Sequence, residues 1–233
     1  MKKDLKYRLS PEVGKRNYQS ESEKLGDIFF IYIITEGCKE ELIYLKKLCE
    51  LFKVSNDNND SVKFLNDFYE NPKIAVTDSN PINRMKAMIE VAEGKYESDE
   101  CWLVCDRDNG SFTDSQYQQL MEQCQDYGVN LIVSNPGFQL WLLLHFTNCL
   151  EDLKLHEYDK SSKQIKIIEK ELKKYVPDYE HGKLDMAYFE SHIEDAFGNS
   201  LLFCVEIGEL KDKIGTNMYE LIMSFRDKFG VLI

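Results

Sequence analysis

Two strongly apolar segments constrain this chain most, because each runs straight into carboxylates. Residues 28–35 lead into Glu36, and residues 101–105 lead into Asp106-Arg107-Asp108. In an open parallel sheet, ligands bind beyond the carboxyl ends of the strands, so acids emerging there can converge on one cation-binding crevice. Two carboxylates at i and i+2 both reach such a crevice when the chain leaves regular extended geometry, as the following Asn109-Gly110 permits. Glu36, Asp106 and Asp108 are therefore the leading candidate site.

The rest of the chain fits such a sheet. Strand-like segments at 28–35, 73–78, 101–106 and 129–134 alternate with helical patterns at 39–52, 81–93, 114–127 and 137–147. That alternation predicts an α/β fold with a doubly wound parallel sheet flanked by helices. Residues 54–60 form a polar, turn-rich loop, and 62–70 predict a further short helix. Beyond about 148 the strand signals fade, and patterns at 160–175, 185–197 and 216–229 predict a helical C-terminal elaboration. The expected organisation is a basic arm over 1–26, an α/β core over 27–148 and helices packed on it over 149–233.

With 233 residues, 43% of them hydrophobic, the chain can bury a substantial core. No apolar run reaches the roughly 18 residues of a membrane span, and Met1-Lys2-Lys3-Asp4 lacks the apolar core of a signal peptide. A cytoplasmic protein with no membrane partner is expected. Seven cysteines, at 38, 49, 101, 105, 124, 149 and 204, contain no Cys-x-x-Cys pair and read as reduced, mostly buried thiols. A net charge of −12 argues against binding polyanions through overall charge, but not against a local phosphate groove. The first 24 residues carry seven Lys or Arg against four acids, which is a modest basic arm or a solvated tail.

Mg²⁺ and Mn²⁺ take oxygen ligands and retain waters and substrate phosphate oxygens, so the acidic trio suits phosphate chemistry. Asp-x-Asp alone also occurs in sugar-nucleotide transferases and in ordinary turns; a Glu closing a second strand strengthens the metal reading. Ser79-Asn80-Pro81 and Ser134-Asn135-Pro136 each follow a strand and open a helix, where Ser or Asn caps free amides and Pro fits the first helical position. Beside the acidic crevice, Ser134 and Asn135 also read as phosphate contacts. The 160–175 helix places Ile165, Ile168 and Leu172 on one face. Lys163, Lys166, Lys170 and Lys173 form a second stripe that either tracks phosphates or, mixed with Glu169 and Glu171, is simply solvated. His145 closes the apolar 140–146 run, as a core imidazole or as an acid, base or phosphate contact. Trp141 and Phe138 read as core anchors.

Taken in order, Thr35-Glu36-Gly37-x-x-x-Glu41-x-x-Tyr44-Leu45, Val104-x-Asp106-x-Asp108, and Ser134-Asn135-Pro136-Gly137-Phe138-Gln139-Leu140-Trp141 continuing to His145-Phe146 form a distinctive set. With a closing Gly215-Thr216-Asn217-Met218-Tyr219-Glu220, the chain resembles the RloB-like proteins found near bacterial restriction and abortive-infection loci, over roughly 27–225. That family is similar to the TOPRIM fold of topoisomerases, primases and OLD-type nucleases, in which a strand-end Glu and an Asp-x-Asp bind Mg²⁺ for phosphoryl transfer. The resemblance implies a TOPRIM-like sheet, the first-motif role for Glu36, metal ligation by Asp106 and Asp108, and a second family acid at Glu41. Glu36 or Glu41 would be the general base, and His145 would help shape the phosphate site.

The chain departs from that pattern twice. Gly137-Phe138-Gln139-Leu140-Trp141 stands where the family reads Cys-Phe-Glu-Leu-Trp, and Glu40 stands where members commonly have Thr. Gln139 can hydrogen-bond or coordinate through its carbonyl, but it supplies neither charge nor a base. The function implied is a Mg²⁺- or Mn²⁺-dependent nuclease of antiphage defence, acting on DNA or RNA, with an operon-encoded partner and a homo-oligomer both left open. The alternative is a catalytically weak metal-binding or regulatory subunit of a defence complex. A sugar-nucleotide transferase leaves Thr35-Glu36-Gly37 and the 134–146 segment unexplained.

Overall fold

The computed structural model describes residues 31–36, 39–54, 62–64, 85, 100–107, 113–148 and 163–230. Among the described residues the sheet has five strands: β1 (Ile31–Thr35), β2 (Val62–Phe64), β3 (Glu100–Asp106), β4 (Val129–Asn135) and β5 (Gly215–Thr216). Their order is β2-β1-β3-β4-β5. The first four run parallel, and β5 lies antiparallel along the end of β4, with Ser134 opposite Thr216. The register sets Thr35 opposite Val104 and Asp106 opposite Ser134, so the carboxyl ends of β1, β3 and β4 lie side by side.

Among the described residues six α-helices flank the sheet: α1 (Glu40–Leu51), α2 (Asp114–Tyr127), α3 (Phe138–Leu144), α4 (Lys163–Leu172), α5 (Ile193–Ser200) and α6 (Tyr219–Phe229). Alternate strand residues point to opposite faces, and here each face has its own core. Ile31, Ile33, Trp102, Val104 and Ile132 meet α1, α3, α4, α5 and α6. Tyr32, Ile34, Cys101, Leu103, Cys105 and Val133 meet Tyr117, Leu120 and Cys124 of α2. Burial on both faces is why these strands read as near-continuous apolar runs rather than alternating ones.

Local chemistry fixes several element ends. Thr113 and Gln116 form a reciprocal capping box at the start of α2, and Gly128 ends that helix at φ 67°. All seven residues of α3 are buried, Gln139 among them. The Asn217 carboxamide lies against β4 like one more strand residue: Oδ1 accepts from Val133 N at 2.8 Å and Nδ2 donates to Leu131 O at 2.8 Å.

Some expectations needed correction. Residues 62–64 form a strand paired with β1, not part of a helix; a short apolar run carries too little periodicity to separate the two states. The C-terminal part is not purely helical, because Gly215–Thr216 joins the sheet, and two residues give no pattern to read. The 185–197 pattern resolves into 3₁₀ turns at Met186–Tyr188 and Glu190–His192 followed by α5. On α4 the buried stripe is Gln164, Ile168 and Leu172, with Ile165 half-buried. The 1–26 arm and the 73–78 strand lie outside the described residues. So does the 81–93 helix, apart from Met85, which packs in the smaller core.

Cys49, Cys101, Cys105 and Cys124 are buried free thiols, and Cys204 is half-buried. Burial pushes Cys49 and Cys124 up to about 12, so both stay protonated and unreactive near neutrality.

Candidate metal site at the carboxyl ends of the strands

The parallel register places Glu36 and Asp106 at neighbouring strand ends, and backbone hydrogen bonds hold them there. Glu36 N donates to Val104 O at 2.8 Å, continuing the β1–β3 ladder by one residue. The Glu36 carboxylate then turns across β3, where Oε2 accepts from Asp106 N at 3.0 Å. On the other side Arg107 N donates to Ser134 O at 2.8 Å, tying the end of β3 to β4. The Arg107 side chain points away from this edge: it is buried, pairs with Asp114 in the first turn of α2, and lies 5.5 Å over the Tyr117 ring.

The turn from β4 into α3 brings a third oxygen to the same place. A Cβ built on Gly137 would lie 2.8 Å from Gln139 Oε1 and 3.2 Å from Asp106 Oδ2. The two oxygens thus flank one small space over the glycine, which any side chain at 137 would enter. Gln139 is 3% exposed, and its Oε1 has no hydrogen-bond partner among the described residues. A buried carbonyl left unpaired costs about 1–3 kcal/mol unless something else satisfies it.

The orientation of that amide comes from Glu40 and His181, because Gln139 Nε2 donates to Glu40 Oε2 and also meets His181 Nδ1 at 3.3 Å. Glu40 is 3% exposed at the first turn of α1. Its Oε2 accepts from Gln139 Nε2 at 2.9 Å, while Oε1 accepts from Tyr179 Oη at 2.7 Å and from Gly182 N at 2.9 Å. His181 Nδ1 lies 3.7 Å from Glu40 Oε2 and 3.4 Å from Glu169 Oε1 of α4. Tyr179, His181 and Gly182 were missed in the sequence because a turn between helices has no periodicity, and its partner lies more than 130 residues away.

Glu41, adjacent in α1, is buried as well. Desolvation raises its carboxyl above the ordinary range, and the neighbouring Glu40 charge raises it further.

The remaining sequence candidates fall elsewhere. Ser134 Oγ bonds Thr216 Oγ1 at 3.0 Å and Asn135 Nδ2 donates to Leu210 O at 2.6 Å, so these buried side chains fasten β5 and the segment before it. His145 is 1% exposed among Tyr44, Trp141 and Phe189. Its Nε2 meets Tyr44 Oη at 3.1 Å and its Nδ1 meets Trp141 O at 3.0 Å, so neither nitrogen is open to a substrate. Burial lowers its pKa to about 4, which keeps the ring neutral. Lys163, Lys166 and Lys170 are exposed on α4. Asp108 lies outside the described residues.

Among the described residues no three His, Cys, Asp or Glu side chains gather as a metal cluster. The expected trio is represented there by Glu36 and Asp106. Glu36, Asp106 and the unpaired Gln139 amide oxygen would offer only oxygen donors, a chemistry that suits a hard divalent cation and not a thiophilic one.

No described helix is long and apolar enough to cross a membrane. No curated protein and no solved structure matches the chain. The family model for RloB-like proteins matches residues 31–225, a span that takes in both strand-end acids, the Gly137–Gln139 turn and the β5 closure, and the chain therefore belongs to the RloB-like family.

Proposed function

We propose that this protein is a Mg²⁺-dependent, TOPRIM-type nuclease or related phosphodiester-processing enzyme of bacterial antiphage defence, acting on DNA or RNA. The observation that carries the proposal is the convergence of the Asp106 carboxylate and the unpaired Gln139 Oε1 on one space, with Glu36 bound to the Asp106 amide. An unpaired buried carbonyl oxygen beside a carboxylate favours a cation, and the carboxyl edge of a parallel sheet is where α/β enzymes bind substrates.

Glu36, Asp106 and Asp108 would hold Mg²⁺ or Mn²⁺, with Gln139 Oε1 as a neutral fourth oxygen. When bound, the cation would offset phosphate charge, orient a water and stabilise the leaving oxygen. Of the two candidate bases, Glu41 has its pKa raised by burial, which moves a carboxylate toward the neutral range where general bases work best. His145, with both nitrogens engaged, is left out of the catalytic set. Lys163, Lys166 and Lys170 remain the candidate cations for a phosphate backbone, because they are solvent-facing on a helix whose Glu169 reaches the Glu40 cluster through His181.

Calorimetric titration of Mn²⁺ and Mg²⁺ into wild type and Asp106→Ala/Asp108→Ala tests the reading. Binding by wild type alone, followed by metal-dependent cleavage of DNA or RNA, is the expected result. A second reading, a metal-binding regulatory subunit with weak catalysis, is favoured by Gln139 standing where an acid would supply charge. Metal binding without cleavage, together with capture of a defence partner that survives Asp106→Ala, would select it.

A further inference from the structure

The Gln139 amide has two ends, and the fold treats them differently. Nε2 is bound to a buried carboxylate, while Oε1 is unpaired and faces the space beside Asp106. Reversing the amide would set its carbonyl oxygen against Glu40 Oε2, two acceptors 2.9 Å apart in a buried site, and would turn an NH₂ toward Asp106. The charge on Glu40, with His181 Nδ1 3.3 Å from the same nitrogen, therefore favours the end of Gln139 that the candidate site sees. Glu40 is itself held by Tyr179 Oη and Gly182 N, so it cannot swing away without leaving those two donors unpaired.

We propose that Glu40 is a positioning residue for a divalent-cation site: it locks the Gln139 amide so that Oε1 serves as a neutral oxygen ligand beside Asp106, keeping its own charge one hydrogen bond behind the cation. The inference rests on the cation reading above. It adds that α1 and the 179–182 turn set the polarity of the site through Gln139 Nε2, which Glu40 holds at 2.9 Å and His181 Nδ1 meets at 3.3 Å. Glu40 touches neither cation nor substrate and acts through Gln139.

The test is Mn²⁺ affinity, read by calorimetry and by Mn²⁺ electron paramagnetic resonance, in four proteins. Asp106→Asn should abolish the binding seen in wild type; absence of binding by wild type would sink the cation reading and this inference together. Glu40→Gln keeps the volume but presents an amide that can pair with either end of Gln139, and should weaken binding about tenfold while the far-ultraviolet spectrum is unchanged, as outer-sphere partners of metal ligands typically do. The reciprocal exchange Glu40→Gln/Gln139→Glu delivers a carboxylate beside Asp106 held by an amide, and should bind at least tenfold tighter than Glu40→Gln alone. Wild-type affinity in Glu40→Gln, or no gain in the exchange, overturns the inference while leaving the cation reading intact; a residue that merely held the turn would lower the melting temperature without moving the affinity. Should Glu40→Gln not fold, the Gln139 side-chain amide resonances of ¹⁵N-labelled wild type decide: they should shift with Mg²⁺, and no shift at saturating Mg²⁺ overturns the inference.

Discussion

Gln139 Nε2 donates to Glu40 Oε2 at 2.9 Å across 99 positions of sequence. Both positions differ from the RloB-like pattern that the motifs resemble, and in the fold they touch. A carboxylate thus sits one hydrogen bond behind the Gln139 amide.

Gly137→Ala tests whether the space beside Asp106 matters. The new Cβ would meet Gln139 Oε1 at 2.8 Å and Asp106 Oδ2 at 3.2 Å, both at side-chain ends that can shift. Stability should fall by less than about 1.5 kcal/mol, whereas Mn²⁺ affinity should drop about 10–100-fold. Urea denaturation and metal titration on the same preparation separate the two effects.

Metal should stabilise the protein. At a free Mg²⁺ concentration of about 100 times the dissociation constant, the gain is roughly 2.7 kcal/mol. Asp106→Asn should abolish that gain. A mutant that still gains stability from Mg²⁺ would place the cation elsewhere.

The β5 closure should be intolerant of change. A Cβ on Gly215 would lie 1.9 Å from the Cys204 carbonyl oxygen, a backbone atom with no freedom to yield, so Gly215→Ala should cost roughly 3 kcal/mol. Asn217→Ala removes both side-chain bonds to β4 and leaves Val133 N and Leu131 O unpaired, for a loss of about 2–5 kcal/mol. Chemical denaturation measures both, and a loss below 1 kcal/mol in either variant would contradict the assigned role.

Stability should fall on both sides of a mildly acidic optimum. Burial raises the Glu220 carboxyl to about 7, above its ordinary 4.5, so the fold favours the protonated form. That contribution is complete below about 4.5 and is lost as pH rises through 7. Burial lowers His145 to about 4 from 6.5, so its contribution is present above 6.5 and is lost as pH falls toward 4. Glu220→Gln should raise stability at pH 8 by roughly 1–2 kcal/mol, once partial exposure is allowed for, and give no gain at pH 4.5. Equal effects at both pH values would exclude the titration.

Sequence alone determined the elements whose signals are local. Buried strands in β1, β3 and β4 announce themselves as apolar runs, α1, α2 and α6 as helical periods, and Glu36 and Asp106 as acids at strand ends. It could not determine β5, two residues defined solely by lying against β4, nor choose between helix and strand for the short run at 62–64. It also left both readings of His145 open, because neutrality there comes from three aromatic neighbours on separate elements. The tertiary structure decided the polarity of Gln139: an amide's two ends are alike in sequence, and it took a buried carboxylate from α1, fixed by Tyr179 and Gly182, to aim the oxygen at Asp106. Backbone propensity and hydrophobic period act over a few residues, whereas a hydrogen bond across 99 positions exists once the sheet has brought its two helices together.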